Sequence, residues 1–190
     1  MMIDSEIEKT VKQYFPNLKG ESLNSIINHS SFFKSNKGTQ LITEGKRHPY
    51  FYIILKGAVK SFYYKDSREV CTWFAIEDDI VGSVLTTEGH PSKETIELLE
   101  DSTFIRFNIE LLKKISESDL QIIHLLNNIL LEHTLFIEER LYQIQFMTSE
   151  ERYSSLINSS PEILQRVSLT DIASFLGISR ETLSRIRKSK

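Results

Sequence analysis

One cysteine, four prolines and seven glycines are all that this 190-residue chain holds of the residues that staple, break or loosen a fold. The lone Cys71 excludes a disulfide framework. It also excludes a thiolate-held iron–sulfur cluster or a zinc knuckle, which need three or four ligands. No run approaches the roughly 18 uninterrupted apolar residues of a membrane span. The first residues carry acids (Asp4, Glu6, Glu8) where a secretory signal would carry bases and then an apolar run. A cytoplasmic protein without membrane contact is expected, and the Asn-x-Ser matches at Asn28 and Asn158 are chance sequons. Catalytic signatures are missing too: there is no His-x-His pair for a cupin metal, no glycine-rich phosphate loop and no nucleophile elbow. The expectation is a non-enzyme without a metal site.

What is present is the composition of a folded protein, 40% hydrophobic, 10% aromatic and 26% charged. The net charge of −3 hides an asymmetry. Residues 166–190 carry Arg166, Arg180, Arg185, Arg187, Lys188 and Lys190 against Asp171 and Glu181, a balance of +4 that leaves −7 on the rest. A short basic tail on an acidic body suits a protein in which only the tail meets phosphates.

The pattern divides into three regions and an α+β fold class. Residues 1–116 open with two helices, one running to Phe15 before Pro16 and one across Ser22–His29. Short β-branched and aromatic runs follow between turn residues: Thr39–Thr43, Tyr50–Leu55, Ala58–Tyr64, Val70–Ile76, Thr95–Leu99 and Thr103–Asn108. Their spacing predicts an antiparallel jelly roll or barrel, a sensor-type domain. Residues 117–147 lack glycine and proline and read as one long helix. Leu120, Ile123, Asn127, Leu130, Thr134, Ile137, Leu141 and Ile144 step by alternating threes and fours, the a/d seam of a parallel homodimer. A polar residue at such a position, here Asn127, fixes register. Further apolar residues (Ile122, Leu126, Ile129, Phe136) widen the stripe, so one side can pack on the barrel and the other on a second chain.

Residues 148–190 are small and helical, opening on a Thr148-x-x-Glu151 capping box. The segment from Leu169 to Ile186 has the make-up of a helix-turn-helix. Ala173 is small where a second helix must cross, and Gly177 stands at the turn. Ile172, Leu176, Ile178, Leu183 and Ile186 face inward, and Ser179 can cap the second helix. Arg180, Glu181, Ser184, Arg185 and Lys188 are left outward, all able to bond bases or phosphates.

The order of jelly roll, long helix and helix-turn-helix resembles the Crp/Fnr (catabolite-activator and fumarate/nitrate-regulator) superfamily of bacterial transcription factors. Gly38-Thr-Gln-Leu-Ile-Thr-Glu-Gly45, Tyr52-Ile-Ile-Leu-Lys-Gly57 and Asp79-Ile-Val-Gly82 resemble its cyclic-nucleotide-binding-like barrel, and Ser179-Arg-Glu-Thr-Leu-Ser-Arg185 resembles its recognition helix. The resemblance implies a homodimer on an inverted repeat of double-stranded DNA with TGA-containing half-sites. It also implies base reading by Glu181 and Arg185, and RNA polymerase as a further candidate partner. An effector is then expected between the cassette (Val81, Gly82, Ser83, Val84, on to Thr87) and the long helix at Asn127 and Asn128.

The departures from that family bear on the effector. Cyclic-nucleotide binders follow the cassette glycine with Glu and later place an Arg on the phosphate; here Ser83 follows Gly82, and Pro91-Ser-Lys-Glu stands in the Arg region. Residues 77–101 hold eight acids and one base, Lys93. An anionic phosphate buried there without counter-charge loses its hydration uncompensated. The expectation is an effector other than cyclic AMP. Haem would need an axial ligand, and His29, His48, His90, His124, His133 and Cys71 match no such motif. The sequence ends at Lys190, so the β-wing of many relatives is expected to be missing or much reduced. A second reading is a ligand-binding regulatory module that acts through a protein partner rather than DNA. A gel shift on random-sequence DNA separates the two.

Overall fold

The computed structural model describes residues 2–188. Eight strands form two antiparallel four-stranded sheets that face each other as a jelly roll. One sheet is ordered β1 (Ser30–Ser35), β8 (Ser102–Asn108), β3 (Tyr50–Lys56), β6 (Ile80–Val81). The other is ordered β2 (Gln40–Ile42), β7 (Thr95–Leu98), β4 (Val59–Lys65), β5 (Arg68–Ala75). Helices α1 (Met2–Tyr14) and α2 (Gly20–Asn28) precede the strands, and the one-turn α3 (Val84–Thr87) follows β6. After β8 come α4 (Ile109–Ser116), the long α5 (Leu120–Phe146), α6 (Ser149–Ser159), α7 (Ile163–Arg166), α8 (Leu169–Leu176) and α9 (Arg180–Lys188).

The apolar runs make sense as layers. Successive strand residues point to opposite faces, so Ile54 and Phe104 fill the space between the sheets while Ile53 and Ile105 point outward. All four are fully buried. Outside the first sheet, Ile53, Ile105 and Phe107 pack with Val11, Ile26, Leu112, Ile122 and Leu125 from α1, α2, α4 and α5. Outside the second sheet, Cys71 and Phe74 of β5 pack with Tyr153, Ile163, Ile172 and Leu176 of the C-terminal helices. Both faces of each sheet are therefore covered. That is why β3 reads as an unbroken apolar run rather than an alternating one.

Besides the one-turn α3, three elements stand where the sequence pattern predicts none. β1 places Phe32 with the helices and Phe33 between the sheets, so its two aromatics serve different layers. β6 is two residues long, too short for any periodicity. α4 starts where the Asn108 side chain accepts from the Leu111 N–H, at 3.1 Å, ending the strand and capping the helix at once. The expected capping box is present: Thr148 Oγ1 accepts from the Glu151 N–H (3.3 Å), and the Thr148 N–H donates to Glu151 Oε2 (2.7 Å).

The C-terminal helices are bound to the barrel by charge as well as by packing. Arg166 donates through Nη1 to Glu77 Oε2 at 2.6 Å and through Nη2 to Glu77 Oε1 at 2.9 Å. Its Nη2 also reaches Glu100 Oε1 at 2.5 Å. A two-pronged guanidinium–carboxylate pair fixes orientation as well as distance. Glu77 is further held by the Gly57 N–H (2.7 Å). Arg166, counted above with the basic tail, is thus taken up by the protein's own acids. Beside it, Lys60 bonds Glu69 (2.6 Å) and Asp171 of α8 (3.3 Å), and the Cys71 N–H donates to Ser174 Oγ (2.9 Å). β5 is an edge strand of its sheet, and α8 lies along it.

Two variants test this architecture. Ile122→Ala should cost about 2–5 kcal/mol, the usual loss for emptying a fully buried isoleucine site, read as a shift of the urea unfolding midpoint. A loss under about 1 kcal/mol would mean that α5 is not an integral part of the barrel core. Glu77→Gln keeps the shape of the Arg166 contact and removes its charge. Hydrogen exchange at the Cys71 amide should quicken about fivefold, equivalent to ~1 kcal/mol for a partly exposed ion pair; unchanged protection would remove the Arg166–Glu77 pair from the docking. Arg166 holds the Glu77 carboxyl down to about 2 from its ordinary 4.5. The docked state therefore gains from that charge at neutral pH and loses the gain as the pH falls from about 4.5 toward about 2.

Candidate functional site

Each part of the α8–turn–α9 pair is specified locally. Ser168 Oγ accepts from the Asp171 N–H (3.1 Å) to start α8. Gly177 ends it at φ 68, a left-handed conformation that side chains disfavour. Its N–H returns to Ser174 O and the Ile178 N–H to Ala173 O, both at 3.0 Å, the paired bonds of a Schellman stop. Ser179 Oγ accepts from the Thr182 N–H (3.1 Å) and starts α9. Ala173, Ile172, Leu176, Leu183 and Ile186 are buried between the two helices and their support.

The opposite side of α9 is bare. Ser179, Arg180, Glu181, Ser184, Arg185 and Lys188 are all exposed, and Lys190 lies outside the described residues. Arg185 Nη2 reaches Thr182 Oγ1 at 3.2 Å. Glu181 is held below the usual carboxylate range by its own backbone N–H, then by the Ser179 hydroxyl and the charges of Arg180 and Arg185. Support comes from behind: Arg140 of α5 donates to Phe175 O with its guanidinium 3.9 Å from the Phe175 ring centre. Arg152 of α6 donates to Leu176 O (3.1 Å) and Met147 O (2.6 Å). Two arginines thus serve the carbonyls that α8 leaves unpaired at its end.

Of the seam residues on α5, Leu120, Asn127, Leu130, Thr134, Ile137, Leu141 and Ile144 are exposed and Ile123 is half-buried. Leu131, Leu135 and Phe136 widen the exposed stripe. α5 has the length and mean hydropathy (1.2) of a membrane span. Its Ile122 and Leu125 are nevertheless buried in the barrel core and its Arg140 is bonded to α8, so protein covers one side of it near both ends.

The residues expected to hold an effector differ in their surroundings. Val81 lies in the core between the sheets, and Ser83 is buried beside it in sequence. A Cβ on Gly82 would fall 1.9 Å from Phe51 Cδ1, so the cassette is packed against that ring. The core behind it is filled by Phe33, Tyr52, Phe104 and Trp73. Asn127 is exposed on the seam side of α5. Asn128 instead borders a half-open cleft of about 600 Å³ on the reverse side, which takes in the α1–α2 turn, Asp78–Ile80 and five further residues of α5. Among the described residues no three His, Cys, Asp or Glu converge as a metal site.

Residues 33–119 match the family model of the cyclic nucleotide-binding domain. No curated protein sequence matches the chain significantly. Solved structures do resemble it in fold. FixK2 from Bradyrhizobium japonicum superposes with a TM-score of 0.74 at 20% identity, over 84% of this chain and 83% of its own. A putative transcriptional regulator of the Crp/Fnr family from Eubacterium rectale gives 0.70 at 18% identity, over 93% and 87%. The sensor domain of the transcriptional regulator DNR from Pseudomonas aeruginosa gives 0.60 at 16% identity, over 78% and 99%. Residues 33–119 thus resemble a cyclic nucleotide-binding domain, and the chain that carries them, with its long helix and C-terminal helices, is similar in fold to these solved regulator structures.

Proposed function

We propose that this chain is a sequence-specific DNA-binding transcription regulator, working in the cytoplasm as a homodimer on an inverted repeat. The observation that carries the reading is the outer face of α9. Arg180, Glu181, Ser184, Arg185 and Lys188 share one exposed side of a helix whose other side is locked down by Leu183 and Ile186. A helix so presented fits a major groove with its first turns at the base edges. Arginine bonds guanine O6 and N7 together and glutamate accepts from cytosine N4, so Arg185 and Glu181 suit the G·C pair of a TGA half-site. The apolar stripe of α5, with Ile137 51% and Ile144 57% exposed, supports a second copy as the partner that covers it. The cassette supports an effector other than cyclic AMP, since Ser83 replaces the usual acid and no arginine follows it through residue 101.

Selection of bound sequences from a random DNA pool tests the reading, with Arg185→Ala beside the parent chain. The variant should lose about 1–3 kcal/mol on the best site and relax the preference at the guanine. Unchanged base preferences would reassign Arg185 to the phosphates, and no selected sequence at all would remove DNA from the function. Ile137→Glu should give monomers by light scattering with poor affinity for the inverted repeat, because a carboxylate would be buried unpaired at the helix interface. A dimer persisting in this variant would place the seam elsewhere.

A further inference from the structure

The cleft behind α5 lies outside the barrel interior, and its walls define an occupant. Three carboxylates border it: Asp78 and Asp79 from the β5–β6 turn and Glu132 from α5. No lysine or arginine is among its lining residues; His124 is the one basic side chain there. The rest of the wall is apolar, with Phe15, Ile80, Leu125 and Ile129 prominent. Burial raises Asp79 above its ordinary value, and the charges of Asp78 and Glu77 add to it. The Tyr14 hydroxyl donates to Asp78 and closes one end of the turn onto α1. Asp79 Oδ2 accepts from the Ile76 N–H (2.8 Å); with no lysine or arginine lining the cleft, its carboxylates over an apolar floor leave a negative field in a space sized for a small molecule.

We propose that this cleft binds a small organic amine, its ammonium against Asp78, Asp79 and Glu132 and its aromatic or aliphatic body on Phe15, Ile80 and Ile129. The site is compatible with the dimer. Gln121, Asn128 and Glu132 follow one another at helical spacing on a side of α5 turned away from Thr134 and Ile137. An occupant would also touch the turn that holds the C-terminal helices, because Asp78 and Asp79 follow directly on Glu77, the carboxylate that grips Arg166. As an effector site, though not as a binding site, the cleft rests on the regulator reading above.

The test titrates the full-length chain, isotope-labelled for NMR, with phenethylamine and tryptamine. Their uncharged and anionic counterparts, phenethyl alcohol and phenylpropionate, serve as controls. The amines should bind saturably and shift the amides of Asp78–Ile80 and of residues 124–132. Asp78→Asn retains the acceptor for Tyr14 and tolerates the positive φ of 74 at that position, and Glu132→Gln changes an exposed side chain. Each should weaken amine binding about tenfold or more, as loss of a charge-assisted hydrogen bond does. Failure of both amines to bind overturns the proposal. So does binding undiminished in both variants, or equal binding of the alcohol or the acid. Gel shifts on the same samples without amine read DNA binding separately, so a failed regulator reading and a failed cleft are told apart.

Discussion

A jelly roll whose sheets are apolar on both sides cannot stand in water alone, and most of this molecule follows from that. Ile53 and Ile105 on one outer face, and Cys71 on the other, are as buried or nearly as buried as the residues between the sheets, and Phe74 beside Cys71 is half-buried. Each outer face therefore needs a cover. The helices α1, α2, α4 and α5 supply one, and the C-terminal helices supply the other. The candidate DNA-reading unit is thus not a bead on a string. Its α8 lies along β5, an edge strand that would otherwise present unpaired backbone to other chains.

Charge then chooses among the ways of docking that apolar contact alone would allow. Hydrophobic burial has no direction, whereas the double bond from Arg166 to Glu77 and the reach of Lys60 to Asp171 accept one orientation. Burial opposes the charge of Lys60, yet its bonds to Glu69 and Asp171 more than offset this and hold it charged. The acids that give the barrel its negative balance are in part the sockets for these bases.

What could be read in the sequence is what is decided within a few residues. Gly177, Ser179, the Thr148–Glu151 box and the inward Ile172, Leu183 and Ile186 act over one or two turns, and the expected helices stand there. The longer strands were legible for the same reason. β1 was not, because Phe32 and Phe33 belong to different layers, and neither was the two-residue β6. The Arg166 contact joins residues 66 and 89 positions apart, so in sequence Arg166 looks like one more charge in a basic tail. The effector expectation rested on resemblance to a cassette, and here Phe51 packs against that cassette at Gly82. The cleft draws its walls from three separate stretches, and of the residues expected to hold an effector only Asn128 borders it.

The two anchor points of α5 make it a lever. Ile122 is fixed in the barrel core, and Arg140 grips the end of α8. At 1.5 Å per residue these lie about 27 Å apart along the axis. A tilt of about 5° at the Ile122 end would carry Arg140 ~2 Å, more than the distance window of a hydrogen bond. Movements too small to disturb packing at the fulcrum are therefore large enough, at the far end, to change which carbonyls the arginine holds.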